Sequence, residues 1–168
     1  MNPPGPNDSR RPARDLYERL VLQARRPEFY LNCGVADSVD GRFDMIATLL
    51  SVVLLRLERG DEARQESVWL TELFVQDMDG QLRQLGIGDV SVGKHMGKMM
   101  SALGGRLGAY RRAFNGEITL DAAIRRNIFR EKAAPDAGVA HVEKEMRAHA
   151  ASLAELKTEA LLSGRAPW

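Results

Sequence analysis

The sequence predicts an all-α protein, a single compact bundle of about seven helices, and three observations support this fold class. Apolar residues recur every three or four positions over most of the chain, which is the period of one helix face. No stretch of useful length alternates between apolar and polar residues, as a half-buried strand would. Glycine and proline interrupt the apolar pattern at intervals typical of helix ends.

The composition is that of a globular domain. The chain has 168 residues, of which 44% are hydrophobic and 28% are charged, so it can bury a real core. A net charge of +1 provides no broad attraction to nucleic acid, and we expect no sequence-specific nucleic-acid binding. Cys33 is the single cysteine, which rules out an internal disulfide and favours a reducing compartment.

The first third of the chain predicts a tail, two helices and a link. Residues 1–11 are rich in proline and glycine, and we expect a flexible tail. Pro12 suits the first turn of a helix, and Pro27 should end that helix by Arg26. The apolar face of this helix holds Leu16, Tyr17, Leu20, Val21 and Ala24. A short helical turn follows over residues 28–32.

The next helix, over residues 41–59, is apolar on nearly every side. Such a helix is typical of the centre of a core, and a membrane-contacting segment is the alternative. Ser38 and its neighbouring aspartates can cap its start, and Gly60 should stop it. Asp61 can cap the following long helix, which contains Gly80 and is broken by Gly86 and Gly88.

Three more helices are predicted in the second half. Ser91 is the expected cap of one that runs to about residue 114, and Thr119 of the next. Three glycines inside the first of these indicate a kink or a tight crossing with another helix: Gly104, Gly105 and Gly108. The last helix is expected over residues 139–162. We therefore expect a tail (1–11), a helical domain (12–134) and a C-terminal helix packed on it or extending it (135–168).

Two patterns resemble chemical sites. GDVSVGK, residues 88–94, has the spacing of a phosphate-binding loop, but it follows a helix and His95 occupies the place of the metal-binding hydroxyl. A capped helix start explains it without a nucleotide. His141, Glu145 and His149 share one helix face, where a solvated polar face is favoured over a metal site. We expect no catalytic residues, no metal and no cofactor.

The connection between the two long central helices is the candidate binding site. Its ionisable side chains form a polar rim: Asp77, Asp79, Arg83, Asp89 and Lys94. Its apolar side chains are expected to line a groove: Met78, Ile87, Val90, Val92 and Met96. Methionine adapts to varied apolar partners, so such a groove favours a peptide or helix as client. The alternative is a purely structural cluster of salt bridges with methionines filling the core.

The sequence also resembles the ubiquinol–cytochrome c chaperone family, whose mitochondrial members assist assembly of respiratory complex III. The resemblance rests on RPEFYLNCGVADSVDGRFDMI (residues 26–46), FVQDMDGQLRQLGIGDVSVGKHMGKM (residues 74–99) and GRLGAY (residues 105–110). It covers about residues 14–130 and leaves the C-terminal helix outside.

The resemblance implies a non-catalytic assembly chaperone. Family members bind newly made cytochrome b near the ribosomal exit, and the mitochondrial ones work with a small partner protein. The N-terminal residues do not resemble a secretory signal or a mitochondrial presequence, so we expect a bacterial member. We expect it in the cytoplasm, with transient contact at the inner face of the cytoplasmic membrane. A general helical adaptor without a role in cytochrome b assembly is the alternative.

Overall fold

The computed structural model describes residues 8–130 and 132–168. Over these residues the chain forms eight α-helices and one turn of 3-10 helix, with no strand, so the predicted all-α class is confirmed. The α-helices are α1 (Arg11–Ala24), α2 (Pro27–Leu31), α3 (Val39–Leu57), α4 (Arg64–Gln84), α5 (Asp89–Phe114), α6 (Leu120–Asn127), α7 (Asp136–Glu155) and α8 (Thr158–Leu162). The 3-10 turn spans Asp61–Ala63. Most of the predicted tail lies outside the described residues.

Helix α3 is the centre of the bundle. It contacts α1, α4, α5 and α7, and 14 of its 19 residues are buried. The apolar sequence of α3 is therefore explained by burial inside the protein, as predicted for a core helix. Considering only the part of the chain that is described, none of the helices combines the length and apolarity that crossing a membrane requires.

Two of the predicted helix caps are confirmed. The Ser38 hydroxyl accepts a hydrogen bond of 3.1 Å from the Gly41 N–H, and the Thr119 hydroxyl accepts one of 3.1 Å from Ala122. Such caps satisfy backbone N–H groups that have no partner within the first helical turn. They fix where α3 and α6 begin.

Two other predicted caps are wrong. Helix α5 begins at Asp89, directly after Gly88, so Ser91 lies inside its first turn. Gly86 has a φ of +76°, and this left-handed residue ends α4 early enough for α5 to start there. Asp61 does not cap α4, because it is the first residue of the 3-10 turn that precedes Arg64.

The last predicted helix is in fact two. Helix α7 begins at Asp136 rather than residue 139 and ends at Glu155, and α8 follows after Leu156. Arg56, from α3, donates hydrogen bonds to the carbonyls of Leu153 (3.0 Å) and Leu156 (2.6 Å). Because the guanidinium satisfies these carbonyls, the helix can end here without leaving them unpaired. The sequence contains no glycine or proline to mark this break.

The glycines that allow close packing are not the ones predicted. A Cβ at Gly104, Gly105 or Gly108 would meet nothing within 4 Å, so the expected tight crossing of α5 is wrong. A Cβ at Gly138 of α7 would lie 2.1 Å from the carbonyl oxygen of Cys33. That backbone contact joins α7 to the segment after α2. Glycine in a helix interior costs about 1 kcal/mol relative to alanine, and the kink that was the other predicted explanation of these glycines stays a prediction.

His149 is buried under the C-terminus and not on a solvated face as predicted. Its ring packs edge-on against Trp168, with the centroids 4.7 Å apart. Burial lowers the pKa of His149 below 6.5; the nearby Glu145 opposes this shift, and Arg26 adds to it. The His149 imidazole is therefore protonated less readily in the folded protein than in the unfolded chain.

We expect acid to destabilise the protein through His149. Between pH 6.5 and the lower pKa of the folded state, the unfolded chain binds more protons, so stability falls as the pH falls. Urea unfolding at about pH 7.5 and about pH 5.5 measures this loss, and His149→Gln should reduce the difference between the two. An unchanged pH dependence in the variant would contradict the assignment.

Candidate functional site

The predicted polar rim is present at the α4–α5 connection, but it divides into separate contacts. Arg83 forms ion pairs with Asp79 (2.9 Å) and with Asp89, which joins the end of α4 to the start of α5. Lys94 is exposed and has no carboxylate within 4.0 Å among the described residues. Asp77 faces α1 instead, where it accepts a hydrogen bond of 2.9 Å from the Tyr17 hydroxyl. Water screens exposed ion pairs of this kind, so the rim adds little to stability.

The predicted apolar groove does not form at this connection. Met78 and Val92 are buried in the interior, because each lies on the core-facing side of its helix. Ile87 and Met96 are half-buried, and Val90 is 93% exposed. Placing Met78 and Val92 at an accessible surface was therefore wrong. Client contact by the remaining residues of the site stays a prediction.

The GDVSVGK segment does not form a phosphate-binding loop. Its residues from Asp89 onward are helical, and the Val92 N–H donates to the Gly88 carbonyl as in any first helical turn. The His95 Nδ1 lies 2.7 Å from the Ser91 carbonyl oxygen within the same helix. The helix start accounts for this sequence, as predicted.

A cleft of about 520 Å³ lies between α1 and α4, and we call it the α1–α4 cleft. Its lining is Arg14, Tyr17, Glu18, Val21, Leu22, Arg25, Leu73, Gln76 and Asp77. Burial, and then the neighbouring Asp77 carboxylate, raise the pKa of Tyr17. The phenol therefore stays protonated near neutral pH and donates to Asp77, which fixes one wall of the cleft.

A second cleft, of about 630 Å³, lies between α2 and the end of α4, and we call it the α2–α4 cleft. Its lining is Arg25, Pro27, Tyr30, Leu31, Asp37, Val39, Arg42, Gln81, Gln84 and Leu85. Burial raises the pKa of Tyr30 to about 12, and its hydroxyl donates to the Ala24 carbonyl over 2.8 Å. Arg25 lines both clefts, so they form one surface.

Three leucines stand out on this surface, which we call the α1–α2–α4 surface. Leu22 is 70% exposed, Leu31 is 80% exposed and Leu85 is 58% exposed. Large apolar side chains that are exposed beside clefts are typical of binding sites for other proteins. The sequence prediction missed all three. The signal available was position, because Leu22 lies off the apolar face of α1 that carries Leu16 and Leu20.

A cluster of charged residues joins α2 to α7. Glu28 lies 2.9 Å from His141 Nε2, and the ligand atoms of Glu28, His141 and Glu145 lie within 4.8 Å of one another. Arg26 forms ion pairs with Glu28 (2.5 Å) and Glu145 (2.6 Å). Hydrogen bonds from His141 and Arg26 lower the pKa of Glu28. Because Arg26 pairs with both carboxylates and His141 contacts Glu28, the cluster connects α2 to α7. Of the predicted histidine row, His141 and Glu145 meet here and His149 does not.

The α1–α2–α4 surface is suited to binding another molecule. The tyrosines in its two clefts keep their protons at neutral pH because burial raises their pKa values, so neither is primed as a nucleophile or base. Cys33 is buried, and burial raises the pKa of its thiol, which makes the reactive thiolate less accessible. Apolar side chains beside Arg25 instead provide contact area and a charge at the rim.

Comparisons with known proteins show the family of this chain. The model of the family described as "Ubiquinol-cytochrome C chaperone" matches residues 31–168. The match includes α7 and α8, which the resemblance in the sequence leaves outside. The crystal structure of the Cbp3 homolog from Brucella abortus superposes with a TM-score of 0.83 at 29% identity, covering 94% of this chain and 88% of that one. No curated protein matches the sequence. Because the family match spans most of the chain, this protein belongs to the ubiquinol–cytochrome c chaperone family.

Proposed function

We propose that the protein is a non-catalytic assembly chaperone that binds newly made cytochrome b during biogenesis of respiratory complex III. The observation that supports this proposal most is the α1–α2–α4 surface, where two clefts lie beside three exposed leucines in a member of a chaperone family. A membrane protein waiting for insertion or assembly presents apolar helices to water. Covering one of them removes apolar area from water, which contributes about 25 cal/mol per Å² before binding costs.

The clefts would hold the client without altering it. Leu31 and Leu85 provide apolar contact at the α2–α4 cleft, and Leu22 does so at the α1–α4 cleft. Arg25 between them can pair with the polar end of a client helix. The rim of the α4–α5 connection lies at the end of the same helix α4, and we propose that it contacts the polar flanks of the client. The residues of the polar rim are Asp77, Asp79, Arg83, Asp89 and Lys94, and we propose that the apolar residues beside it that are not fully buried, Ile87, Val90 and Met96, contact the client as well.

The wider setting follows from this client. Binding a newly made chain requires access near the ribosomal exit, in the cytoplasm, with transient contact at the inner face of the cytoplasmic membrane. A small partner protein, as in mitochondrial members, would cover a further part of a long client. A general adaptor that joins two other proteins would use the same surface, but it would keep its partners in a strain without cytochrome b.

Replacing two of the leucines tests the surface. We expect Leu31→Ser with Leu85→Ser to lower the amount of newly made, radiolabelled cytochrome b that co-purifies with the tagged protein by about tenfold or more, since each buried leucine contributes about 1.5–3 kcal/mol. Val68→Ser is the matched control, because Val68 is an exposed apolar residue outside the linings of both clefts. Equal recovery with the double variant and the control would contradict this surface.

A further inference from the structure

Residues 157–168, which include α8, turn back from the end of α7 onto the start of α1, and we call this segment the strap. Gly164 has a φ of +81°, and a Cβ there would lie 3.2 Å from the Pro12 carbonyl oxygen. This left-handed glycine lets the chain lie directly against the backbone of α1. Leu161 is 1% exposed and anchors the strap in the core.

Few polar contacts hold the strap in place. Within the described chain, its backbone N–H groups donate only to carbonyls of the strap itself. The two terminal nitrogens of Arg56 lie 3.4 and 3.5 Å from the Thr158 hydroxyl, which is long for a hydrogen bond. No ion pair joins the strap to the other described residues. Segments with so few outside contacts open locally, at a lower free energy than the whole protein needs to unfold.

The contact between His149 and Trp168 closes the strap over α7. The two rings meet edge-on, at an interplanar angle of 86°. His149 is 8% exposed, and its Nε2 has no hydrogen-bond partner among the described residues. The buried Nε1 of Trp168 has none there either. Buried polar atoms without partners oppose folding, and opening of the strap would let water bind both nitrogens.

The charges around His149 do not provide a counter-ion for its protonated form. Glu145, one turn earlier on α7, and Arg26, just before α2, are the charged groups that face it. Their side chains pair with each other at 2.6 Å, so the carboxylate is already neutralised. From the strap, Trp168 presents an uncharged indole ring. Burial therefore dominates and lowers the pKa of His149, and a proton on this ring favours a state in which water surrounds it.

We propose that the strap is an acid-released cover, which leaves α1 and α7 as a local unit when His149 takes up a proton while the rest of the bundle stays folded. Opening separates Trp168 from His149, hydrates the imidazolium and gives both ring nitrogens a partner. It uncovers the start of α1 and the part of α7 that holds His149. This device does not depend on the identity of a client, and its test uses the protein alone.

Hydrogen–deuterium exchange of the full chain at pH 7.5 and pH 5.5 tests the proposal. Each rate is divided by the rate of an unstructured chain at the same pH. We expect the normalised rate of the strap to rise by up to about tenfold at the lower pH, because the open state titrates near pH 6.5 and the closed state lower. Strap amides should also exchange faster than those of α3 at both pH values, and low urea should accelerate α3 more than the strap.

Three results with the wild-type protein would overturn the proposal. Exchange of the strap and α3 at one common rate would show that only unfolding of the whole protein exposes His149. An unchanged normalised rate would show that the proton does not open the strap. Slower exchange at pH 5.5 would show that Trp168 holds the imidazolium through a cation–π contact.

Two variants assign the effect to the ring contact. We expect His149→Gln to give the same normalised rate of the strap at both pH values, whereas His95→Gln is the matched control and should keep the difference, because His95 is exposed on α5. Trp168→Ala should speed exchange of the strap at both pH values and bring the His149 titration, followed by NMR, close to pH 6.5. It decides the matter if His149→Gln does not fold. A full tenfold response in either variant would assign the acid effect to another group and overturn the proposal.

Discussion

Asp44→Ala is expected to destabilise the protein by about 3–5 kcal/mol, because it leaves a buried arginine without its counter-charge. Asp44 is 1% exposed on α3, within the GRFDMI motif. Its carboxylate accepts from Arg106 of α5 at 2.5 Å and from Arg130, just after α6, at 3.1 Å. Burial raises the pKa of Asp44, and both arginines oppose that rise.

The two arginines differ in what they lose when Asp44 is removed. Arg130 is partly exposed and its guanidinium can be hydrated instead, so it contributes little to the loss of stability. Arg106 is buried and cannot, so most of the penalty arises there. Urea unfolding followed by circular dichroism measures the change. Asp44→Asn keeps the size and some hydrogen bonds, and we expect an intermediate loss. A change below about 1 kcal/mol for Asp44→Ala would contradict the role given to this network.

Gly138→Ala is expected to lower the stability of the protein by about 1–3 kcal/mol. The added methyl group would lie 2.1 Å from the Cys33 carbonyl oxygen and 2.7 Å from its carbonyl carbon. These are backbone atoms, so no side chain can rotate away, and α7 must move from the segment that follows α2. Thermal unfolding of the variant measures the effect.

Gly80→Ala is the control, because we expect it to change the stability in the opposite direction. Gly80 lies within α4, where a Cβ would meet nothing within 4 Å. Alanine there should stabilise the protein by up to about 1 kcal/mol, since only helix propensity changes. If Gly138→Ala were as stable as the wild type, the close contact between α7 and Cys33 would not exist in solution.

The central helix and two caps could be predicted because their causes are local. Residues 45–55 contain more apolar side chains than one helix face can hold, so the helix has to be buried on several sides. Helix α3 is buried in this way. Ser38 and Thr119 cap helices through hydrogen bonds that span three residues. Ser91 has the same chemistry, but the left-handed Gly86 ends α4 so that α5 starts three residues earlier than a Ser91 cap would allow. A neighbouring turn therefore outweighed the preference of one residue.

The binding site was harder to predict because accessibility depends on distant contacts. Met78 and Val92 lie near the polar connection in the sequence, but each is on the inner face of its helix, so both side chains are buried in the core. Leu31 and Leu85 are far apart in sequence and meet in one cleft only because α2 packs beside the end of α4. The break before α8 has the same origin, since Arg56 that stabilises it comes from α3. No local pattern contains this information.

Recovery of newly made membrane proteins with the tagged wild-type protein during radiolabelling tests the proposed chaperone role most directly. We expect cytochrome b to be enriched over other newly made membrane proteins, and this enrichment to be lost with Leu31→Ser and Leu85→Ser. Equal recovery of unrelated membrane proteins, or recovery of other partners from a strain without cytochrome b, would contradict a dedicated cytochrome b chaperone.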